Sequence, residues 1–127
     1  MYTKAYMKTI AEFFKLFADP TRCRILHALS QGEFCVCELV DAIQTTQYTV
    51  SRHLAGLRKG GWTMERREGT WIYYRLTVDR KELIRDVLSV ALKHGLDDGT
   101  LAEDSERLAR RLSLREAGHC VLGYNQV

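Results

Sequence analysis

Apolar residues recur at helical spacing along most of the chain, and one central stretch changes to strand periodicity. Within residues 5–18 the apolar positions lie three or four residues apart, which predicts a first helix with an aromatic stripe. The stripe consists of Ile10, Phe13, Phe14 and Phe17. The chain is therefore predicted to begin with an amphipathic helix.

Three further helices are indicated in the first half of the chain by their end signals. Asp19 is a suitable N-cap and Pro20 suits the first helical position, so a second helix begins there. Thr46 caps a fourth helix, which Gly60 and Gly61 end. The second, third and fourth helices are predicted over about residues 20–30, 36–43 and 47–59. A short turn joins the third and fourth helices, as in a helix-turn-helix.

The hydrophobic pattern changes its period after Gly61. Two β-prone runs, WTMERRE and TWIYYRL, flank Glu68 and Gly69 and predict a hairpin. Helical spacing returns in residues 79–96, and a charged helix over about residues 100–113 precedes the tail. The second half of the chain is therefore a hairpin followed by two helices.

The order of these elements indicates the fold class. Four helices, a hairpin and two more helices predict a fold that is mainly α with a small β-hairpin, a winged helix-turn-helix whose wing is the hairpin. We divide the 127 residues into two units. Residues 1–95 are expected to form the winged helix-turn-helix DNA-binding domain, and residues 96–127 a C-terminal helix and tail.

The sequence also bears on the compartment. No apolar run approaches the roughly 18 residues needed to span a bilayer. Lys4, Lys8 and Lys15 interrupt the N-terminal segment, which is unlike a signal peptide. We therefore expect a cytoplasmic protein with no membrane partner. Its four cysteines would stay reduced, which favours metal ligands or core residues over disulfides.

Positive charge is concentrated in the predicted fourth helix and hairpin. Residues 47–76 carry six Lys and Arg against two Asp and Glu, whereas the whole chain has a net charge of only +3. A basic segment on a helix-turn-helix favours double-stranded DNA as the partner. The expected DNA-contact residues lie near the start of the fourth helix and at the hairpin tip: Gln47, Tyr48, Thr49, Ser51, Arg52, His53, Arg66 and Arg67.

These side chains suit different parts of a duplex. Gln and Arg read adenine and guanine in the major groove, and hydroxyl groups contact phosphates or bases. Thr49 and His53 are candidates for backbone or flanking contacts. Arg66 and Arg67 are candidates for phosphates or the minor groove.

Cys35 and Cys37 stand one residue apart at the predicted start of the third helix. This is neither the redox spacing Cys-X-X-Cys nor a usual zinc-knuckle spacing. Residues i and i+2 of an α-helix are rotated by about 200°, so a regular helix points the two sulfurs apart. We therefore expect that one ion bound by both thiolates removes or bends the first turn of this helix.

Four segments of the sequence resemble the ArsR/SmtB family of metal- and metalloid-responsive repressors. They are FADPTRCRILHAL, EFCVCEL, TVSRHLAGLRKGG and RREGTWIYYRL, in the family's order over roughly residues 8–77. The resemblance implies a homodimeric repressor, not an enzyme, that binds operator DNA and leaves it when a toxic ion binds. It also implies dimerisation through the first helix and the helix after the wing, where residues 10–17 and 83–91 carry apolar faces.

Within that family, Cys-Val-Cys resembles the arsenite-responsive branch, which commonly adds a third cysteine where this chain has Val40. The resemblance implies As(III) or Sb(III) as the effector, bound by thiolates, and no organic cofactor. Because trivalent arsenic prefers three thiolates, we expect Cys120 in the tail to be the third ligand, from the same or the other subunit. Cys23 is the alternative third ligand, although core packing is expected for it, and His119 is a borderline ligand that is expected to lie exposed. A site without a third ligand also stays open.

Other functions are left open by the sequence. A thiol-redox repressor would oxidise Cys35 or Cys37, and a repressor responsive to Cd, Pb or Zn would use the same sulfurs. A thiol oxidoreductase is disfavoured, because Cys-X-X-Cys near a βαβ unit is missing. A winged helix that binds a partner other than DNA is disfavoured by Arg52, Arg66 and Arg67.

Overall fold

The computed structural model describes the backbone of residues 2–124 and the side chains of residues 9–124. Within this range the chain forms six helices and three short strands. In chain order they are α1 (Tyr2–Lys15), α2 (Pro20–Gln31), β1 (Phe34–Cys35), α3 (Val36–Ile43), α4 (Gln47–Lys59), β2 (Thr63–Glu68), β3 (Trp71–Leu76), α5 (Val78–Lys93) and α6 (Thr100–Ser113). The architecture is a winged helix-turn-helix, as the sequence predicts.

The capping predictions are confirmed. Asp19 Oδ1 accepts a hydrogen bond of 3.0 Å from the backbone N–H of Arg22 at the start of α2. Thr46 Oγ1 accepts one of 3.1 Å from the N–H of Thr49 at the start of α4. Helix α4, the second helix of the helix-turn-helix and therefore its recognition helix, has the predicted bounds.

The wing is a three-stranded sheet, because β1 adds to the predicted hairpin. The strand order is β1-β3-β2 and all pairs are antiparallel. Phe34 lies opposite Tyr74 and Cys35 opposite Tyr73. The sequence does not predict β1, since a strand of two residues is too short to display an alternating pattern. It anchors the wing directly to the start of α3.

The apolar core lies under the helix-turn-helix. Most of its buried members come from α2, α3 and α4, and they include Ile25, Leu29, Leu39, Ile43, Leu54 and Leu57. Leu108 of α6 and Ile84 of α5 complete the same cluster. The division predicted at residue 95 stays a prediction, and the described helices on its two sides share one core. No helix in the described part of the chain is long and apolar enough to cross a bilayer.

Candidate functional site

Three cysteine sulfurs converge in one buried cluster, the three-thiol cluster of Cys35, Cys37 and Cys120. The Sγ atoms of Cys35 and Cys37 are 2.7 Å apart, those of Cys35 and Cys120 3.1 Å, and those of Cys37 and Cys120 3.4 Å. All three are free thiols and buried. The structure thus brings together the three residues predicted as ligands, and it does so within one subunit.

The way α3 begins explains how Cys35 and Cys37 face each other. Cys35 is the N-cap of α3, with φ −83° and ψ 164°, so it is extended and paired with Tyr73 rather than helical. Cys37 is the second residue of the helix. The predicted need to disrupt the first turn of α3 is therefore wrong, because the residue that had to leave the helix already lies outside it.

Cys120 reaches the cluster on the tail that follows α6. Its backbone N–H donates a hydrogen bond of 2.7 Å to the hydroxyl of the fully buried Tyr73. The other two candidates lie elsewhere. His119 is exposed and contacts Glu68 at the end of β2, and Cys23 is half-buried beside the apolar core.

The spacing of the sulfurs suits a small ion bound at the apex of a pyramid. Bonds of about 2.3 Å, the length found for zinc–sulfur bonds, at angles of about 100° separate sulfurs by about 3.5 Å. Cys37 and Cys120 already have this separation, and Cys35 has to withdraw by less than about 1 Å. Among the described residues, these three cysteines are the one group of at least three Cys, His, Asp or Glu side chains that is arranged to hold a metal ion.

Burial and hydrogen bonds within the cluster keep the thiols of Cys35 and Cys120 protonated. The pKa of Cys35 is raised above its usual value, first by the hydrogen bond with Cys37 and then by burial. Burial, followed by the hydrogen bond with Cys35, raises the pKa of Cys120 to about 11. Near neutral pH the cluster therefore presents these two residues as thiols.

A buried ion pair holds the backbone of the cluster in place. Glu38 is fully buried and accepts hydrogen bonds from the backbone N–H of Cys35 and from Arg115. Arg115 also donates to the carbonyl oxygen of Glu33 at 2.8 Å and lies over the rings of Phe34 and Tyr73. The tail, β1 and the first turn of α3 are therefore joined by charged groups.

Arg111 of α6 carries positive charge to the sulfurs. Its Nη2 lies 3.5 Å from the Sγ atoms of both Cys37 and Cys120, and its Nη1 is 3.0 Å from Asp41 Oδ2. The same guanidinium donates to the carbonyl oxygens of Leu122 and Gly123 in the tail. Arg111 therefore contacts the sulfurs, α3 and the tail at once.

A second charged cluster holds the other end of α3, where the turn to the recognition helix begins. Asp104 of α6 is fully buried between Arg24 and Arg107. Arg24 donates to the carbonyl oxygen of Ile43 at 2.8 Å and Arg107 to that of Ala42 at 2.6 Å. These bonds satisfy carbonyls that the end of a helix leaves unpaired. Helix α6 thus contacts both the thiol cluster and the turn of the helix-turn-helix.

The predicted DNA-contact residues of α4 separate into two groups. Gln47, Tyr48 and Arg52 are exposed, and Thr49 and Ser51 are partly exposed. His53 is only 8% exposed and its Nε2 is 3.5 Å from Asp19. The structure therefore does not group His53 with the other candidates, because the α-helical rotation from Arg52 points its ring towards α2.

The two wing arginines also differ. Arg67 is exposed on β2. Arg66 is exposed as well, but its guanidinium bonds Glu33 at 2.8 Å and Glu68 at 2.6 Å and lies over the ring of Tyr73. A phosphate bound by Arg66 would have to replace these two carboxylates. Among the described residues, no carboxylate pairs with Arg67, so a phosphate could bind it without displacing a partner.

A cavity of about 270 Å³ connects the thiol cluster with the recognition helix. Its lining includes Cys35, Cys37, Trp71, Tyr124 and the first residue of α4, Gln47. The cavity gives a small solute a path to the sulfurs. It also makes a predicted base-reading residue a neighbour of the candidate ion site.

The residues that surround the three-thiol cluster are not predicted from the sequence. Arg107 and Arg111 lie four residues apart on the face of α6 that packs on α3, and Arg115 follows at the same spacing just after the helix. That spacing was the available signal, but arginines on a charged helix usually lie in solvent. Glu38 and Tyr73 carried no comparable signal, since their roles depend on contacts between distant parts of the chain.

Comparison with known proteins adds the family. Residues 19–61 match the family described as bacterial regulatory protein, arsR family. The arsenic resistance transcriptional regulator ArsR2 of Pseudomonas putida is 41% identical over 103 residues, which are 80% of this chain and 88% of that relative.

Two solved structures share the architecture. A homodimeric winged helix-turn-helix DNA-binding domain from Mycobacterium bovis has a TM-score of 0.62 at 35% identity and covers 72% of this chain and 86% of its own. The AntR antimony-specific transcriptional repressor has a TM-score of 0.62 at 27% identity, with coverages of 73% and 86%. The chain therefore belongs to the ArsR family, whose members are DNA-binding transcriptional repressors rather than enzymes.

Proposed function

We propose that this protein is a homodimeric repressor that releases operator DNA when As(III) or Sb(III) binds the thiolates of Cys35, Cys37 and Cys120. The observation that carries the proposal is the convergence of three buried sulfurs within 3.4 Å of one another. The printed names of two relatives, an arsenic resistance regulator and an antimony-specific repressor, support a metalloid effector.

The protonation of the thiols favours a neutral metalloid over a divalent cation. Arsenite near neutral pH is uncharged As(OH)₃. Its reaction with three thiols gives As(SR)₃ and three waters, so no proton is released overall. A divalent ion must instead displace protons from Cys35 and Cys120, whose pKa values are raised. Thiolates also select soft ions, which agrees with arsenic and antimony.

Ion binding has a short physical route to the surfaces that face DNA. Cys35 pairs with Tyr73 of the wing strand β3, and Cys120 bonds the hydroxyl of the same tyrosine. Gln47 of the recognition helix lines the cavity beside the sulfurs. Moving the sulfurs apart to fit an ion therefore shifts the wing and the tail against the start of α3. Repression is relieved if the ion prefers the conformation that binds DNA less well.

The partner of the dimer is a second copy of this chain, joined through α1 and α5. Phe14, Leu92 and Leu96 are exposed beside an apolar groove of about 310 Å³. Exposed apolar patches of this kind mark interaction surfaces. The homodimeric state of the domain from Mycobacterium bovis supports this assignment. Two recognition helices would then face two half-sites of one operator.

The test is arsenite-driven release from a DNA fragment that carries the protein's own promoter, followed by fluorescence anisotropy. Serine variants of Cys35, Cys37 and Cys120 are expected to bind the DNA like the wild type. The arsenite concentration for half-release should rise at least about 10-fold in each, because a ligand is lost. Cys23→Ser is the matched control and should respond like the wild type. Normal release by the Cys35→Ser/Cys37→Ser double variant would refute the proposal.

The short distances between the sulfurs also favour a second candidate, a thiol-redox repressor. A peroxide would oxidise Cys120 and Cys35 or Cys37 to a disulfide, two thiols and H₂O₂ giving one S–S bond and two waters. The raised pKa values of Cys35 and Cys120 oppose this reaction, because oxidation follows the thiolate character of a cysteine. Release of the DNA by peroxide but not by arsenite would favour the redox function.

A further inference from the structure

Arg111 is a buried charged residue at the centre of the candidate site. Its side chain is only 3% exposed, although it lies on the strongly charged helix α6. Arginine is almost never fully buried unless it is paired. Here one carboxylate, Asp41, pairs with it, and the remaining contacts are to sulfurs and tail carbonyls.

The tail that carries Cys120 depends on this guanidinium. No helix or strand holds residues 120–123, so side chains must fix their position. Arg111 donates to the carbonyl oxygen of Leu122 at 2.6 Å and to that of Gly123 at 3.3 Å. On the other side, the N–H of Cys120 donates a hydrogen bond to the hydroxyl of Tyr73. The tail is therefore held on the two sides of Cys120.

The arrangement is not the one that packing alone would favour. The Nε of Arg111 is buried without a hydrogen-bond partner among the described residues, which destabilises the fold. A buried ion pair such as Arg111–Asp41 is often no more stable than an apolar pair of the same volume. A residue kept under these conditions calls for an explanation other than stability.

We infer that Arg111 is a positioning residue for the ion site: it fixes the tail so that Cys120 becomes the third ligand, and it hydrogen-bonds the sulfurs once they bind the ion. The inference rests on the proposed function. Sulfurs bound to an ion keep lone pairs, and Nη2 stands 3.5 Å from two of them. Hydrogen bonds from a charged donor are stronger than those between neutral groups, and such outer partners tune metal sites. Arg111 thus decides whether the ion is held by three sulfurs or by two.

The test compares the full-length wild type with Arg111→Met/Asp41→Asn, which removes both charges of the pair and so leaves no unpaired carboxylate. Arg110→Met is the matched control, since Arg110 is the exposed neighbour on the same helix. X-ray absorption at the arsenic edge counts the sulfurs bound to arsenic. Alkylation by iodoacetamide, read by mass spectrometry, gives the reactivity of each cysteine without an ion.

The double variant is expected to bind arsenic through two sulfurs, to lose about 10- to 100-fold in affinity, and to expose Cys120 to alkylation while Cys35 and Cys37 stay protected. Arg111→Lys, which keeps the charge but not the forked geometry, should recover part of the affinity. Three sulfurs in the double variant, or equal alkylation of all three cysteines, would overturn the inference. Two sulfurs in the wild type would instead refute the proposed three-thiolate site, so the two failures are distinguishable.

Should the double variant be unfolded, Arg111→Lys alone decides. The positioning role would be contradicted if Arg111→Lys kept three sulfurs on arsenic, the wild-type arsenite affinity and the wild-type alkylation of Cys120. A partial loss of affinity with selective exposure of Cys120 would support it.

Discussion

Each cysteine of the thiol cluster is placed by a different local device. Cys35 is extended because it both pairs with Tyr73 and caps α3, where its N–H bonds Glu38. Cys37 is helical, and Cys120 lies on a tail held by Arg111 and Tyr73. Since Cys35 and Cys120 have raised pKa values, the free cluster is neutral at these positions. This protonation separates the possible effectors chemically.

The affinity for arsenite should hardly change between pH 6 and 8, whereas that for Cd(II) should rise about 100-fold per pH unit. The sign follows from the raised pKa values: a divalent ion must displace at least the protons of Cys35 and Cys120, and each makes binding stronger as pH rises. Arsenite consumes thiols and forms water, with no net proton release. Competition titrations at three pH values measure both slopes, and a steep arsenite slope would contradict the assignment of protonated thiols.

At the scale of elements, α6 connects the ion site with the turn of the helix-turn-helix. Arg111 contacts Cys37 and Asp41 of α3, and Arg115, just after α6, contacts Glu38. Arg107, which is paired with Asp104, donates to the carbonyl oxygen of Ala42 at the end of α3. Helix α6 therefore contacts α3 along most of its length. Removing the ion pairs of Asp104 should lower the stability of the fold without changing the positions of the sulfurs.

Asp104→Ala should lower the free energy of unfolding by about 2–4 kcal/mol, because it leaves two arginines without their buried carboxylate. The lower part of that range allows for the partial exposure of Arg24 and Arg107. Glu103→Ala, at the exposed neighbouring position, should change it by less than about 0.5 kcal/mol. Urea denaturation measures both. Similar values for the two variants would mean that the Asp104 cluster contributes little to stability.

The sequence predicted the elements with strong local signals and missed those that depend on long-range pairing. The bounds of α4 follow from the Thr46 cap and the glycines after Lys59. Strand β1 exists because β3 offers it a partner, and this pairing turns Cys35 out of the helix. For that reason the two sulfurs do not point apart, as they would in a regular helix, but face each other. The four-residue spacing of Arg107 and Arg111 does not reveal that Arg111 is buried, because its burial depends on the path of the tail.

At the scale of the whole molecule, the proposed function needs two copies. The sulfurs, the wing and the recognition helix lie in one subunit, whereas the apolar faces of α1 and α5 are left exposed. A single winged helix would contact one half-site. Pairing two of them raises the effective concentration of the second at the operator.

Leu92→Glu should shift the protein from dimer to monomer at micromolar concentration, because it places a charge in the apolar α1–α5 face. Operator affinity should fall at least about 100-fold, since the two half-sites are no longer bound together. Light scattering coupled to size-exclusion chromatography measures the oligomeric state. Met64→Glu, at an exposed apolar position on the wing, is the control for the oligomeric state and should stay dimeric. A dimeric Leu92→Glu variant would place the interface on another face.

Native mass spectrometry of the dimer after titration with arsenite tests most directly whether three thiols of one subunit bind one arsenic. Each subunit is expected to gain one arsenic atom and to lose three hydrogens. In Cys120→Ser the bound arsenic should keep a hydroxyl group and displace only two hydrogens. A wild-type subunit whose arsenic keeps its hydroxyl, or a Cys120→Ser variant with the wild-type mass gain, would contradict the three-thiol site.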